Sequence, residues 1–445
     1  MEAIPRHRFR ILTLSREPLA DQMATEVEWY RDPHEVVIGT VYRDETDDDW
    51  GYIVLGRDGR GQFRWIDGGG SDKTTDAARE RLWGAMRAAL VSGEVTFPQG
   101  DEAGRKLHRL MNSVHPSERL HPAFRQLSQN PGFSPAASLI SEIAYAFTDP
   151  DGNFIEQFQT TGFDARLWEL YLFVTLREQG CRFDRTKPAP DFVCDHFGLQ
   201  FAVEAVTMNP SQTGADPPPP ENPIQLRHYN EHFTPIRFGS ALVSKLRKEY
   251  WKLSHVAGKP LVLAIQDFHQ PRSMMWTYSG LPTYLYGYRY EPNRDERGNL
   301  VIKPIKIDRH IWGARSVPSG FFSLSGAEHI SAVMFSNSGT ISKFNRIGKL
   351  ARFGDPSIRM IRTGEAVNLD QNAQQGVPFR REVNDAYQEN WSEGLAMFHN
   401  PHALCPLPLE HFPGLVHHRL QGELIEAFSN HPFHPLWSFT EIIRP

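Results

Sequence analysis

Two acidic residues interrupt an apolar stretch near the middle of the chain. The segment PDFVCDHFGLQFAVEAV, residues 190–206, contains two hydrophobic runs that meet at Phe197-Gly198. If the runs pair as an antiparallel hairpin about these two residues, Asp191 lies opposite Glu204, with the two Cβ atoms roughly 4.5–5.5 Å apart. A three-residue turn would shift this pairing by about one position and keep the two acids close. The sequence therefore predicts two neighbouring carboxylates on one face of a sheet.

These carboxylates need a compensating group, because they repel each other and an unpaired buried carboxylate is costly. A shared proton, a basic partner or a divalent cation would supply it. Ligands that are all oxygen atoms, with room for water and phosphate, favour Mg²⁺ or Mn²⁺ over zinc. Glu169 needs the same explanation, because it lies in LWELYLFVTL, a helical pattern that is apolar nearly all round.

The surrounding segments predict the elements that hold these acids. Residues 163–180 have the pattern of a buried helix, and short strands follow up to residue 206. The segment GSALVSKLRKEYWKL, residues 239–253, predicts a second helix, and the apolar run at 259–268 predicts an interior strand. The expected order is helix, three strands, helix, strand.

This order, together with Pro190-Asp191 and Glu204-Ala205-Val206 on adjacent strands, resembles the core of the PD-(D/E)XK nuclease superfamily. The resemblance covers about residues 160–270. It implies a restriction-endonuclease-like fold, in which a central mixed sheet is flanked by helices. It also implies that Asp191, Glu204 and the Ala205 carbonyl bind Mg²⁺ or Mn²⁺.

The chain departs from the family at one position. The family's lysine would stand at position 206, where this chain has Val206. That lysine orients the attacking water and stabilises the charge that develops on the phosphate. Lys245 borders the apolar stripe of the second helix and is the expected substitute, with Lys187 as the alternative. The resemblance gives Glu169 the role of an assisting acid. The other interpretation of the second helix is a solvated basic face, formed by Lys245, Lys248 and Lys252.

Two further patterns could bind nucleic acid. Tyrosines alternate in TYLYGYRYEP, and a β-strand there would present four rings on one face, where each could stack on a base for about 1–3 kcal/mol. Downstream, basic residues recur every three positions, as on one side of a helix that could grip a phosphate backbone. Packing between strands and a solvent-facing helix are the respective alternatives. The residues concerned are Tyr284, Tyr286, Tyr288 and Tyr290 in the first pattern, and Lys343, Arg346, Lys349 and Arg352 in the second.

The chain length suggests about three domains. Residues 1–130 predict an N-terminal α+β domain with an antiparallel meander over 35–67. Residues 131–275 contain the nuclease-like core, and residues 276–445 predict a C-terminal mixed α/β region that could bind a substrate or a partner. The expected fold class is a mixed α+β structure.

Composition limits the partners and the location. The net charge of -5 argues against a surface that coats nucleic acid or an anionic membrane, although it permits a local basic groove. Three cysteines without a CxxC pair fit a reducing compartment, so a cytoplasmic location is expected. No stretch reaches the roughly 18 apolar residues of a membrane span, so no membrane is expected as a partner.

The resulting expectation is a Mg²⁺-dependent nuclease that hydrolyses phosphodiester bonds by water attack, with DNA as the expected substrate. The alternative is a nuclease-like module without catalysis that binds nucleic acid or a protein partner. A glycosidase fits poorly, because directly opposed acids leave little room for the roughly 5–9.5 Å carboxyl separation of that chemistry. The choice between DNA and RNA stays open, as does the formation of a homo-oligomer.

Overall fold

The N-terminal residues form an antiparallel meander that packs on one helix. The computed structural model describes residues 1–102, 110–149, 151–211 and 216–443 of the chain. In the last turn of the meander, the Asp58 carboxylate accepts the N–H groups of Arg60 and Gln62, and Gly61 has a φ of 88°. The predicted meander is confirmed. Its elements and the first helices are β1 (Glu2–Ala3), α1 (Arg6–Leu12), α2 (Ala20–Met23), β2 (Ala24–Arg31), β3 (Val37–Asp44), β4 (Asp49–Arg57), β5 (Phe63–Asp72) and α3 (Thr75–Val91).

A group of mostly buried helices follows: α4 (Pro122–Gln129), α5 (Ser134–Ala146), α6 (Phe154–Gln159) and α7 (Phe163–Glu178). The last of them is the predicted apolar helix, and its residues from Leu167 to Leu176 are all buried. The Trp168 indole donates a hydrogen bond of 2.9 Å to the Ala264 carbonyl in the central sheet. Burial on nearly every side explains why this helix is apolar all round.

The next segment contains the predicted succession of strands and helices. Its elements are β6 (Arg182–Asp184), β7 (Phe192–His196), β8 (Leu199–Met208), α8 (Pro223–His228), α9 (Thr234–Leu246) and β9 (Leu261–Asp267). With α7 in front, the order helix, three strands, helix, strand is confirmed, and the short α8 is an addition to it. The helix predicted over 239–253 begins earlier, at Thr234, and ends at Leu246. It cannot extend to residue 253, because the φ of Glu249 is 50°, outside the right-handed helical region.

The C-terminal part contributes strands to the same central sheet and forms smaller sheets of its own. Its elements are α10 (Gly280–Tyr286), β10 (Tyr288–Arg294), β11 (Leu300–Lys306), β12 (Arg309–Trp312), β13 (Arg315–Pro318), β14 (Ala332–Ser336), α11 (Ile341–Leu350), β15 (Arg359–Ala366), β16 (Val377–Glu382), β17 (Leu395–His399), β18 (Val416–Gln421), β19 (Leu424–Phe428) and β20 (Pro435–Ile443). The hairpins β10–β11 and β12–β13 stand apart, and β15 pairs with both β16 and β20.

The central sheet has the order β19-β18-β17-β14-β9-β8-β7-β6 and mixes parallel with antiparallel pairs, so the fold is of the expected mixed α+β class. The sheet continues across the boundary expected near residue 275. Side chains of α5, α7 and α11 pack on one face, and those of α9 and α10 pack on the other. Burial of both faces accounts for the apolar run from Leu261 to Ile265 in β9, a strand that is buried along its whole length. Within the described ranges, no helix has both the length and the apolar composition needed to cross a membrane.

A buried ion cluster joins α11 to the C-terminal sheet. Arg346 donates two hydrogen bonds of 2.7 Å to the Glu389 carboxylate, and Arg362 and Lys343 approach it at 3.4 and 3.5 Å. Burial alone would raise the pKa of the Glu389 carboxyl, but Arg346 and Arg362 hold that pKa well below its usual value. Arg362 also contacts Glu393 at 2.5 Å. Glu389 is therefore the shared counter-ion of three buried cations.

We expect Glu389→Gln to destabilise the fold by about 3–5 kcal/mol, because it leaves buried positive charges without their counter-ion. Urea denaturation of the full chain measures this loss. Glu382→Gln is the matched control, since Glu382 forms an exposed ion pair with Arg359 and its removal should change little. Equal stability of the two variants would contradict the role given to Glu389.

Candidate active site

The β7–β8 hairpin brings the two predicted acids together. Its register pairs Phe192 with Val203, and one further step places Asp191 opposite Glu204, as predicted. The turn consists of Phe197 and Gly198, with φ values of 50° and 94°. Positive φ at both positions is the geometry of a two-residue type I′ turn, which fixes the register of the hairpin.

Asp191, which directly precedes β7, is hydrogen-bonded to the backbone of β8. Its Oδ2 accepts the Ala205 N–H at 2.7 Å, and its own N–H donates to Glu204 Oε2 at 3.3 Å. The N–H and C=O of one strand residue point to the same edge, so the Ala205 carbonyl lies on the Asp191 side. Burial raises the pKa of the Asp191 carboxyl to about 8, and the negative charges of Glu204 and Glu169 add to that effect.

The other carboxylate oxygen of Glu204, Oε1, contacts an ammonium group and a hydroxyl group. Lys245, in the last turn of α9, places its Nζ 2.5 Å from Glu204 Oε1. The Tyr250 hydroxyl donates to the same oxygen at 2.7 Å. Burial and this hydrogen bond raise the pKa of the Tyr250 hydroxyl well above its usual value. The structure thus brings Lys245 to the acid pair, whereas Lys248 on the same segment is exposed.

Glu169 approaches from α7. Its side chain, 11% exposed, accepts a hydrogen bond of 2.7 Å from Arg166, which is also held by the Gln157 side chain. Burial raises the pKa of the Glu169 carboxyl, and Arg166 partly opposes that shift. Glu169 contributes negative charge to the surroundings of Asp191, because it adds to the rise in the Asp191 pKa.

Three neighbouring residues were missed by the sequence analysis. Tyr250 belongs to a 3₁₀ turn after α9. The predicted helix through residue 253 does not contain this turn, so it did not indicate a contact of Tyr250 with Glu204. The Arg185 guanidinium donates to the Asp191 carbonyl, and also to the Thr148 carbonyl at 2.9 Å. His255 contacts the Ala189 carbonyl at 2.8 Å through Nε2. The latter two fix the backbone around Asp191, and no local sequence pattern marks such contacts.

The donor set fits a hard divalent cation. Two carboxylates and the Ala205 carbonyl supply only oxygen atoms, which Mg²⁺ and Mn²⁺ prefer. In the part of the chain that the structure describes, no group of three or more His, Cys, Asp and Glu side chains is arranged to hold a metal ion. A cation here would therefore take most of its ligands from water and phosphate, as Mg²⁺ commonly does.

The tyrosine prediction is wrong. α10 ends at Tyr286, Gly287 has a φ of 78°, and β10 begins only at Tyr288. Tyr284 and Tyr286 are buried, and the Tyr286 hydroxyl lies 2.9 Å from the His399 carbonyl. Because the segment changes from helix to strand at the glycine, the four rings do not share one exposed face. Tyr288 and Tyr290 are half-buried in β10.

The basic stripe is also different from the prediction. The predicted helix is present as α11, but Lys343 and Arg346 are buried in the Glu389 cluster. Lys349 is half-buried, and only Arg352 of the four is exposed. The three-residue spacing thus marks a side of the helix that faces buried acids, so Lys343 and Arg346 are not available to a phosphate backbone.

The raised pKa of Asp191 predicts a pH dependence of stability. A carboxyl whose pKa rises from 3.8 to about 8 on folding binds its proton more tightly in the folded state. Its stabilising contribution is present below the unfolded pKa and is lost as the pH rises through the folded one. In metal-free buffer, the free energy of unfolding of Asp191→Asn should therefore rise by at least about 1.4 kcal/mol relative to that of the wild type as the pH increases from 3.8 to about 8. Urea denaturation at several pH values measures this difference, and a constant difference would contradict the proposed environment of Asp191.

Comparisons with known proteins supply no counterpart of this site. Searches of protein-family models, of curated proteins and of solved structures find no match to the chain. The site therefore consists of Asp191, Glu204 and Lys245, carried by elements in the order α7, β6, β7, β8, α9 and β9.

Proposed function

We propose that the protein is a metal-dependent nuclease that hydrolyses phosphodiester bonds of nucleic acid, with DNA as the expected substrate. One observation carries the proposal: Lys245 lies 2.5 Å from Glu204, whose strand neighbour Ala205 binds Asp191. Two acids, a strand carbonyl and a lysine thereby lie together at the open end of the β7–β8 hairpin. The order of α7, β6, β7, β8, α9 and β9 supports the same proposal, because it is the order that the resemblance implies.

The residues divide the work of the proposed reaction. Asp191, Glu204 and the Ala205 carbonyl would hold Mg²⁺ or Mn²⁺. Such a cation lowers the pKa of bound water and neutralises charge on the phosphate. Lys245 stabilises negative charge on the phosphate or orients the attacking water, and its side chain is 30% exposed and so accessible from solvent. Glu169 increases the negative potential around Asp191.

Tyr250 positions Glu204. Its hydroxyl donates to the oxygen that also contacts Lys245, so the carboxylate rotamer is held from two directions. This restraint keeps Glu204 Oε2 near the Asp191 backbone, at 3.3 Å from its nitrogen. A fixed carboxylate of this kind favours metal binding, because supporting hydrogen bonds orient ligand side chains.

A second candidate is a nuclease-like module that binds nucleic acid or a protein partner without turnover. The contact between Lys245 and Glu204 favours it, because the lysine already compensates the buried carboxylate without a cation. Binding by such a module would be insensitive to a chelator, and no product would form.

Cleavage assays with single- and double-stranded DNA and RNA, in Mg²⁺ or Mn²⁺, separate the two candidates. Asp191→Asn, Glu204→Gln and Lys245→Met should each lower the cleavage rate at least about 100-fold, because each removes a ligand or a stabilising charge. Lys248→Met is the control, since Lys248 is exposed on the same segment. Absence of cleavage by the wild type, or equal rates for all variants, would reject the nuclease.

Binding of Mn²⁺ should release a proton. With a pKa of about 8, Asp191 is mostly protonated at neutral pH and must lose its proton to bind a cation. Isothermal titration in two buffers of different ionisation enthalpy should show release of about one proton per Mn²⁺ near pH 7 by the wild type. Asp191→Asn should bind more weakly and release none. Binding without any proton release would place the cation elsewhere.

A further inference from the structure

Two histidines lie one helical turn apart where α8 meets α9, and they belong to neither the acid pair nor the Glu389 cluster. His228 is the last residue of α8, and His232 lies in the π-helical turn Tyr229–Phe233 that joins α8 to α9. The centres of the two imidazole rings are 4.9 Å apart, and the ring planes are inclined by 54°. Residues four positions apart share one side of a helix, so both imidazoles can reach one ligand.

The separation of the two rings fits a shared transition-metal ion. Imidazole nitrogens bind Zn²⁺ at about 2.0–2.1 Å, so two rings on one tetrahedral ion have their centres roughly 5 Å apart. The observed 4.9 Å is close to that value. Two histidines four residues apart on a helix also bind zinc in the H-E-x-x-H motif. This chain has HYNEH at 228–232 and shares only the two histidines with that motif.

His232 is suited to be a ligand. Its Nδ1 atom is buried without a hydrogen-bond partner, and a bound ion is one of the groups that account for such an atom. Burial and the neighbouring His228 lower the pKa of the His232 imidazole. The ring is therefore neutral at neutral pH, which is the form in which histidine binds metal ions.

Trp312 orients His228. The His228 side chain is exposed, but the centre of its ring lies 5.3 Å from that of Trp312, at the end of β12. The Trp312 ring also contacts the rings of Tyr229 and Phe233, each at 5.3 Å. The His228 imidazole is thereby held beside the turn that carries His232.

The π-helical turn itself supports a binding role. Single π-helical turns are rare and occur frequently at functional sites. The Thr234 hydroxyl donates a hydrogen bond of 2.8 Å to the Tyr229 carbonyl and so stabilises this turn. We propose that His228 and His232 form a binding site for a divalent transition-metal ion of the Zn²⁺ or Ni²⁺ type, with water as its remaining ligands.

The site has two protein ligands. Glu231, between the two histidines, is paired with Arg289 at 3.1 Å. Among the described residues, no group of three or more His, Cys, Asp and Glu side chains is arranged around an ion, which agrees with a site completed by water.

The class of metal separates this site from the acid pair. Imidazole ligands suit Zn²⁺, Ni²⁺ and Cu²⁺, whereas carboxylate and carbonyl oxygens suit Mg²⁺ and Mn²⁺. An excess of Mg²⁺ should therefore occupy oxygen-only sites without displacing an ion from the two histidines. The inference does not depend on the nuclease proposal, because it uses none of the acid-pair residues.

Isothermal titration of the untagged full chain with Ni²⁺, with and without excess Mg²⁺, tests the proposal. The chain should bind one Ni²⁺ with a Kd below about 100 µM, and Mg²⁺ should not change this Kd. His228→Ala and His232→Ala should each weaken Ni²⁺ binding at least about 10-fold, because each removes one of the two imidazole ligands. Asp191→Asn should leave Ni²⁺ binding unchanged, which separates this site from the nuclease centre.

His402→Ala is the matched control, since His402 is exposed in the segment after β17. If His232→Ala fails to fold, His228→Ala alone decides, because His228 is exposed at the end of α8. Three outcomes would overturn the proposal: no Ni²⁺ binding below about 1 mM, equal Ni²⁺ affinities of His228→Ala and His402→Ala, or a Kd that excess Mg²⁺ raises at least about 10-fold.

Discussion

The electrostatic repulsion between Asp191 and Glu204 determines how the centre of this fold is organised. Both carboxylates lie at the open end of the β7–β8 hairpin, and burial there disfavours the charged form of Asp191. The structure answers this in two ways: Lys245 and Tyr250 bind Glu204, and Asp191 has a pKa raised to about 8. One acid is thus ion-paired and the other favours its proton. In the proposed reaction Asp191 would exchange its proton for a cation at neutral pH, whereas a fully paired structural bridge would have no proton to release.

The Glu389 cluster solves the same kind of problem in a different way. There a single carboxylate faces Lys343, Arg346 and Arg362, and its pKa is lowered despite complete burial of the side chain. Excess positive charge holds that carboxylate ionised, and Arg346 binds it at both oxygens. Such a cluster is suited to fixing α11 against the C-terminal sheet. The two acids therefore differ: Arg346 and Arg362 lower the pKa of the Glu389 carboxyl, whereas burial raises the pKa of the Asp191 carboxyl.

The sequence predicts local pairing better than long-range partners. The register of Asp191 and Glu204 follows from strand alternation and a two-residue turn, both within residues 190–206, and the order of elements follows from apolar periodicity. Lys343 and Arg346 were misread because helical spacing shows that residues share a side but not what that side faces, and Glu389 is 43 residues beyond Arg346. The prediction of a tyrosine ladder is wrong because α10 ends at Gly287, and the alternation of tyrosines does not indicate a helix end at that position. The contact of Tyr250 with Glu204 was missed for a related reason, because a 3₁₀ turn after α9 positions this tyrosine and the sequence pattern predicts a continuous helix there.

The position of Lys245 has a packing explanation. Val206 follows Glu204 on the same face of β8 and is 2% exposed in an apolar cluster that includes Phe238 and Leu242 of α9. A lysine at position 206 would have to bury its ammonium group in that cluster or displace α9 from the sheet, and either would be costly. Lys245 reaches Glu204 from the end of the same helix, with 30% of its side chain exposed. The apolar contact between α9 and β8 can therefore be kept while the positive charge enters the site from the solvent side. Val206 is thus compatible with the proposed nuclease centre.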